Sequence, residues 1–433
     1  MKDSSSSSAS KHPSMGLAMD IHRLTMMHTG QLSATPLDEL SQRVLTTVLG
    51  NRPVGDAIRE EEGKIQQLME GHIMDDSIHE NEPLLNGTLY QHLTVTLSPS
   101  VSFPPLSSMD MEALEAHQKR MMAQLTTRID KAVEEMGDME VLSAKLTLAR
   151  YTAKCRSKLE ALTAYDMVLE SPKLSLGKKL DCHLEKARVA SFWGDTQSVV
   201  DILANTSKIL ETSKGGDWDR RNRLKAYRAL SLLQIRELKE ASALLVDGIA
   251  TFASPELCEY AEFVTYAVVM AVLYLPRVDL KKTIIDGSDV LTVAKDIPLV
   301  VQLANTLYDC DYKSFLHTLV DLQPHLIANR YLQPHAGFIL RELHILAYRQ
   351  FLDSYQSVTI ESMSDSFGVS PSFLDLQLSR FIAAGRLTAK IDHVGGIVET
   401  MKTDWKNARY REMIVKGDLL LNRIQKLGRV VDL

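Results

Sequence analysis

Apolar residues recur at helical spacing along most of the chain. Between 108 and 136 one stripe advances in steps near three and four, through Met111, Leu114, Met121, Leu125, Ile129, Val133 and Met136. Such a stripe predicts a long amphipathic helix that buries one face. Ser108 is expected to cap the start of this helix and Gly137 to end it.

From 138 to 321 the pattern indicates short helices joined by brief polar turns. Second helices of successive pairs are expected to begin near Lys158, Asp195 and Glu237, at separations of 37 and 42 residues. These separations bracket the periods of helical-repeat solenoids, although they exceed a regular tetratricopeptide (TPR) unit. Each pair can bury its apolar face only by stacking on its neighbours. We therefore predict a TPR-like helical-repeat domain over 108–330.

The pattern changes near Tyr331. Two short helices are predicted, the first closed by Gly368 as a left-handed C-cap and the second opened by Ser370 as an N-cap. The second helix is expected to bury one face, formed by Phe373, Leu374, Leu378, Phe381 and Ile382.

Two strands follow these helices. Residues 387–392 alternate apolar and polar positions, and 397–401 form a second strand after the turn Gly395-Gly396. Helix, turn, helix, strand, turn, strand is the order of a winged helix, which we predict over 331–402 with a two-stranded wing.

The two ends of the chain differ in character. Residues 403–433 predict a terminal helix with the apolar stripe Met413, Leu420, Ile424, Leu427 and Val431. Leu419 and Leu421 make it apolar on several sides, so it requires several partners. At the start, the serine run 4–8 predicts disorder and the prolines of 83–108 predict an extended connector. Residues 1–107 are thus expected to form a partly disordered arm.

Composition excludes several classes of protein. The chain is 45% hydrophobic and 24% charged, with a net charge of -6, so no general attraction to nucleic acid or to an anionic membrane is expected. The strongest apolar run, 266–275, is about half of what a membrane span needs. No signal peptide is indicated.

No motif for catalysis, cofactor binding or metal binding is present. The histidines never stand at i, i+2, HExxH is missing, and Gly63-Lys64 and Gly177-Lys178 lack the rest of a phosphate-binding loop. The four cysteines form no CxxC pair and lie in apolar patterns, which favours inert core thiols. We predict a chain that is not an enzyme and needs no cofactor.

Helical repeats followed by a winged helix and a terminal helix resemble the PCI proteins, which are scaffold subunits of the proteasome lid, the signalosome and the third eukaryotic initiation factor complex. Several blocks are similar to a proteasome lid subunit of this family in particular. They are GDWDRRNRLK (216–225), DLKK with IDG (279–287), LYDC with YKSF (307–315), LSRFIAAGRL (378–387) and GDLLLNRIQKL (417–427).

The resemblance, which covers roughly 178–433, implies a scaffold subunit that supports lid assembly and ubiquitin-dependent protein degradation. The implied partners are other PCI lid subunits, the lid metalloprotease subunit and the ATPase ring, in a hetero-oligomer of the cytoplasm and nucleus without nucleic acid or membrane. Contacts are expected along the wing strands and the terminal helix, at Leu387, Ala389, Ile391, Ile397, Met413, Leu420, Ile424, Leu427 and Val431.

Two alternative functions remain open from the sequence. One is a PCI scaffold subunit of the signalosome. The other is a winged-helix regulator that binds nucleic acid, but residues 359–400 carry three basic against five acidic side chains, a poor footprint for phosphate. A basic cluster at Arg220, Arg221, Arg223 and Lys225 allows either a solvated helix face or a contact with an acidic neighbour.

Overall fold

A computed structural model of the chain describes residues 14–32, 37–50, 53–69, 83–97, 106–135, 137–171, 174–212, 218–400 and 405–431. The described residues are mostly helical with one small sheet, which confirms the predicted fold class. The chain folds into two compact units, each built from more than one segment of the sequence. The first comprises Met1–Ala304 and Asp321–Gly337, and the second Asn305–Val320 and Phe338–Leu433. The predicted limits 108–330 and 331–402 stay predictions.

Among the residues that the structure describes before 108, four helices precede the predicted repeats. They are α1 (Met15–His28), α2 (Leu37–Leu49), α3 (Val54–Met69) and α4 (Gly87–Leu97). Buried residues of α1, α2 and α4 share one apolar core, which includes Leu24, Val48 and Leu97. The extended connector was therefore a wrong prediction for 87–97, where Asn86 Oδ1 accepts from the Leu89 N–H at 3.0 Å and caps the helix. The serine run 4–8 and the prolines at 99, 104 and 105 lie outside the described residues.

In the described residues from 106 to 274, eight helices of the first unit follow, each packed on the next. They are α5 (Ser108–Glu135), α6 (Asp138–Cys155), α7 (Lys158–Leu169), α8 (Leu176–Phe192), α9 (Thr196–Thr212), α10 (Trp218–Gln234), α11 (Leu238–Gly248) and α12 (Tyr260–Tyr274). The predicted starts near Lys158, Asp195 and Glu237 are confirmed within one residue. At α5 the cap is Ser107 and not Ser108, because Ser107 Oγ accepts from the Asp110 N–H at 3.1 Å.

A π-helical turn lies in the similar block at 279–287. It spans Lys281–Ile285 and is flanked by α13 (Arg277–Leu280) and α14 (Ser288–Val293). A Cβ atom at Gly287 would stand 2.2 Å from the Thr283 carbonyl oxygen, so only glycine fits after this turn. The next helices are α15 (Pro298–Tyr308) and α16 (Tyr312–Ala328), and short 3₁₀ turns stand at Ile249–Thr251 and Gln333–His335.

The second unit holds the winged helix. Its helices are α17 (Ala336–Leu352), α18 (Ile360–Phe367) and α19 (Pro371–Ala383). Gly368 closes α18 at φ 66°, and Ser370 Oγ accepts from the Phe373 N–H, so both predicted caps are confirmed. Aromatic rings fill the centre of the unit, where Phe367 lies 4.9 Å from Tyr312 and 5.0 Å from Tyr348 between ring centroids.

Within the described residues the wing has three strands and not two. They are β1 (Ser357–Thr359), β2 (Ala389–Asp392) and β3 (Ile397–Thr400), in the antiparallel order β1-β3-β2. The sequence pattern missed β1, because three residues carry too little alternation to indicate a strand. The last helix is α20 (Trp405–Val431). In the described part of the chain, no helix combines the length and apolar character that a membrane crossing requires.

Candidate interaction surfaces

Helix α20 exposes its apolar residues. Every side chain from 409 to 429 is exposed, including the predicted stripe of Met413 (73%), Leu420 (59%), Ile424 (57%) and Leu427 (65%). The side chain of Val431 lies outside the described residues. Leu419 and Leu421 are also more than half exposed, so the apolar surface extends beyond one stripe. A contiguous exposed apolar surface of this kind is typical of protein interaction sites.

The residues of the wing strands that were predicted to contact partners differ in how far their side chains are exposed. The side chains of Leu387 and Ala389 are buried at 5% exposure, so the predicted contact at these two residues stays a prediction for the strand backbone. The side chains of Ile391 and Ile397 are half-buried. Ile397 lies on β3, which pairs with a strand on each side, so β3 has no open edge. Met401, the predicted end of this strand, lies outside the described residues.

The strand β2 lies at one edge of the three-stranded sheet. The Thr400 N–H donates to the Gln356 carbonyl at 2.9 Å, on the β1 side of β3. Because backbone groups of an antiparallel strand alternate in direction, Glu399 faces β2, and its opposite residue Lys390 bonds to β3. The N–H groups of Ala389 and Ile391 therefore point away from the sheet. A strand from another chain can pair with these groups.

Part of the basic cluster on α10 forms ion pairs inside the first unit. Arg220 binds Asp181 through two hydrogen bonds of 3.1 and 2.7 Å. Arg223 is 4% exposed and contacts Asp181 at 3.1 Å and Glu256 at 3.0 Å. Burial opposes the charge of Arg223, but Glu256 outweighs it and raises its pKa. These two arginines hold α8 and α10 together and are not a contact for an acidic neighbour.

A buried charge cluster joins α3 to α5 and α6. Glu61 Oε1 accepts from Lys154 Nζ at 2.8 Å, and Glu61 Oε2 lies 2.9 Å from His117 Nε2. All three residues are at most 3% exposed. Burial alone raises the pKa of Glu61, but Lys154 and His117 outweigh it and hold this pKa at about 2. Periodicity could not indicate this cluster, because its members stand far apart along the chain.

Three cysteines are buried, as predicted. Burial raises the pKa of Cys155 and of Cys182 to about 12, and it raises that of Cys258 further, so these thiols are poor nucleophiles. The prediction was wrong for Cys310, which is exposed at φ 62° after α15. Within the described ranges, no cluster of three His, Cys, Asp or Glu side chains could hold a metal ion.

Three family models match successive parts of the chain. "26S proteasome subunit RPN7" matches residues 109–283, "PCI domain" matches 317–402, and "26S proteasome regulatory subunit RPN7/PSMD6 C-terminal helix" matches 409–431. The 26S proteasome non-ATPase regulatory subunit 6 homolog of Arabidopsis thaliana is 40% identical over 323 residues, which are 75% of this chain and 83% of the relative. The chain belongs to the RPN7 family of 26S proteasome regulatory subunits.

Other RPN7 relatives match a similar share of the chain. The 26S proteasome non-ATPase regulatory subunit 6 of Dictyostelium discoideum is 41% identical over 319 residues, 74% of this chain and 83% of the relative. The regulatory subunit RPN7 of Saccharomyces cerevisiae is 38% identical over 315 residues, 72% of this chain and 73% of the relative. The similarity to RPN7 starts at 109 and so extends further towards the N-terminus than the blocks at 178–433 indicated.

RPN7 membership decides between the predicted functions. The chain is a regulatory subunit of the 26S proteasome, of a family described as non-ATPase and non-catalytic, as predicted. The signalosome alternative is weaker, because COP9 signalosome complex subunit 1b of Drosophila melanogaster is 21% identical over 226 residues, 52% of this chain and 43% of the relative. The C-terminal helix model of RPN7 covers the exposed part of α20.

Proposed function

We propose that this chain is a structural scaffold of the regulatory-particle lid that supports lid assembly and, through it, ubiquitin-dependent protein degradation. Its partners are other PCI lid subunits, the lid metalloprotease subunit and the ATPase ring, in a hetero-oligomer of the cytoplasm and nucleus. Proteolytic and ATP-driven steps belong to those partners. Neither nucleic acid nor a membrane takes part in the contacts.

The exposure of α20 carries this proposal. This helix of 27 residues leaves Leu420, Ile424 and Leu427 more than half exposed. Such apolar side chains are unfavourable in water and are stabilised when another protein covers them. Burying these side chains against helices of several subunits stabilises the assembly by about 1.5–3 kcal/mol for each fully buried side chain. The family model for this helix supports the same role.

The edge of β2 supplies a second contact in this proposal. Its outward N–H groups, at Ala389 and Ile391, allow main-chain pairing with a strand of a neighbouring winged helix. Main-chain pairing orients two modules side by side, whereas α20 supplies apolar area. The two contacts therefore do different work in assembly.

The experiment for α20 is native affinity purification of the tagged full-length chain, followed by quantitative mass spectrometry. The wild-type chain is expected to recover lid and ATPase subunits. A variant with Leu420→Asp, Ile424→Asp and Leu427→Asp is expected to lose at least about tenfold of this recovery, because each buried charge opposes packing. The control places three Asp residues on the same helix at Asn422, Gln425 and Arg429, which changes the charge at least as much, and it is expected to retain most of the recovery.

Two results oppose the proposal. Equal loss in the apolar and the polar variants means that added charge, and not apolar packing, governs recovery. Recovery of signalosome subunits, of chromatin, or of no partner by the wild-type chain contradicts the lid assignment itself.

A further inference from the structure

The apolar residues of α20 follow a repeat of seven positions. From Tyr410 onwards they advance in alternating steps of three and four residues, which places them at the a and d positions of a coiled-coil heptad. These positions, which we name the α20 seam, hold Tyr410, Met413, Gly417, Leu420, Ile424, Leu427 and Val431. Leucine at d and a β-branched residue at a, such as Ile424, are common in such seams. The repeat therefore predicts that the partner of α20 is itself a helix with heptad spacing.

The two sides of the α20 seam differ in charge. On one side the g positions hold three exposed basic residues, Arg409, Lys416 and Arg423, which we name the g flank. On the other side the e positions hold Ile414 and Leu421, which are both more than half exposed. The helix is therefore basic along one edge of its apolar surface and apolar along the other.

Charge over the whole of α20 agrees with a basic contact surface. Seven side chains between 405 and 431 are basic and two are acidic, although the net charge of the chain is -6. One of the two acidic residues, Glu412, pairs with Lys416 at 2.6 Å on the surface. Such an exposed pair contributes little and leaves α20 basic. An acidic partner is therefore attracted to this helix and less to the rest of the chain.

Heptad geometry defines where the acidic residues of the partner lie. In a coiled coil the residues at e and g form ion pairs between helices and select the partner and its orientation. A partner of the g flank therefore carries Asp or Glu at every seventh position. A second copy of this chain does not supply them. Parallel copies place the g flank beside Ile414 and Leu421, and antiparallel copies place two basic flanks beside each other.

An anionic membrane is a weaker candidate for this surface. A basic amphipathic helix on a membrane meets headgroups on both sides of its buried apolar face. In α20 the positions beyond the apolar e flank hold Arg411, Asp418 and Gln425, which carry no net charge together. Because the basic residues border the seam on one side only, their arrangement favours a helix over a lipid surface.

We propose that α20 pairs with a heptad helix of a neighbouring regulatory-particle subunit, whose acidic residues at every seventh position contact the g flank. This inference rests on the proposed function, since the partner is a subunit of the same complex. It goes further by naming the charge and the spacing of one partner helix. The α20 seam supplies apolar area, while the g flank selects the partner and its orientation.

The test applies a zero-length carbodiimide, which joins a lysine amine to a carboxylate in contact with it, to the complex recovered through the tagged full-length chain. The variant Arg423→Lys keeps the charge and adds a second lysine to the g flank. Lys416 and position 423 are expected to link to two carboxylates one heptad apart on a single helix of another subunit. The internal control is Lys426, which lies off the g flank on the same helix and is expected to give at least about tenfold less interchain product.

A second measurement reverses the charge of the g flank. The triple variant Arg409→Glu, Lys416→Glu and Arg423→Glu is expected to lower recovery of the crosslinked subunit about tenfold, because its acidic residues then face like charges. Changing those acidic residues of the partner to Lys is expected to restore recovery. A purely structural role of the g flank within this chain does not produce such a rescue.

The matched control makes the same change in charge on the same helix. Arg411→Glu, Lys426→Glu and Arg429→Glu lie outside the α20 seam and the g flank, so most of the recovery is expected to remain. Circular dichroism of both purified triple variants checks that they keep the helix content of the wild type, so that loss of α20 itself does not imitate the result.

The outcomes separate this proposal from the scaffold function. If the wild-type chain recovers lid subunits but Lys416 links only to its own chain, or both triple variants lose recovery equally, the g flank does not select a partner and the scaffold function stands. Binding of the wild-type chain to phosphatidylserine vesicles, lost on reversal of the g flank, assigns this flank to a membrane and overturns the proposal. If the wild-type chain recovers no subunit of the regulatory particle, both proposals are overturned.

Discussion

Glu61 illustrates how single residues hold the N-terminal helices to the rest of the first unit. Its carboxylate is buried between Lys154 and His117, which belong to two other helices. A buried charge that loses its partner costs far more than a surface pair, because water cannot replace the lost interaction. The cluster therefore selects one arrangement of α3 against α5 and α6.

Replacing Glu61 by Gln is expected to lower the free energy of unfolding by about 3–5 kcal/mol at pH 7, since it leaves Lys154 charged and buried. The wild-type contribution also depends on pH. The pKa of Glu61 is about 2 in the folded protein, below its ordinary value of 4.5, so the stabilisation is complete above about pH 4.5 and is lost as the pH falls towards 2. Denaturant unfolding between pH 2 and pH 7 measures both effects.

The control is the adjacent Glu60→Gln. Glu60 is exposed and pairs with Lys64 at 3.7 Å on the surface, so the expected change is below about 1 kcal/mol. If Glu61→Gln is as mild as Glu60→Gln, or if its unfolding keeps the full acid dependence of the wild type, the buried cluster does not stabilise the fold as argued.

At the scale of residues, the sequence did not predict which of two adjacent apolar side chains is buried. Phe373 and Leu374 are adjacent and both apolar, and a turn of about 100° per residue decides which points inward. The apolar pattern grouped both with the core, but Leu374 is buried and Phe373 is not. Likewise, Arg220 and Arg223 form a basic run in the sequence, yet their carboxylate partners lie 33 to 42 residues away and could not be foreseen.

At the scale of elements, the long helices and their caps were predictable, since periodicity and capping residues are local. Gly368 and Ser370 bound their helices as expected. The strand β1 was not predictable from the pattern, and its pairing makes β3 a central strand without an open edge. An edge depends on which strands pair, and β1 and β3 are separated along the chain by the helices between them.

The edge of β2 gives a prediction at this scale. Ile391→Pro removes an N–H that points away from β3, so the ladder to β3 is kept and pairing with a foreign strand is blocked. We expect recovery of PCI lid subunits by the tagged chain to fall about tenfold, with a melting temperature close to that of the wild type.

The comparison variant is Lys390→Pro. In the wild-type chain the N–H of Lys390 bonds to β3, and proline removes it. Its loss is expected to lower the melting temperature clearly, by the cost of a lost ladder bond and a distorted strand. Undiminished lid recovery by a folded Ile391→Pro chain contradicts edge pairing and leaves α20 as the proposed contact.

At the scale of the whole molecule, the sequence pattern did not indicate which segments of the chain pack together. Residues 305–320 group with the winged helix, while 321–337 return to the first unit. Lys313, for example, lies against Gly368, where an added Cβ would come within 2.9 Å of its side chain. Such grouping arises from packing between distant segments, on which local periodicity carries no information.

Exposure of α20 also has a consequence for the isolated chain. A net charge of -6 on 433 residues supplies little repulsion, so exposed Leu419, Leu420 and Leu421 are expected to associate between copies. Light scattering coupled to gel filtration should show mass rising with concentration for the wild-type chain. Raising the salt should not reverse this association, because apolar association is not screened.

The triple Asp variant at Leu420, Ile424 and Leu427 should stay monomeric, whereas the variant with Asp at Asn422, Gln425 and Arg429 should associate. A wild-type chain that stays monomeric at all concentrations means that α20 finds cover within its own chain in solution, and the apolar argument for its role in assembly then fails.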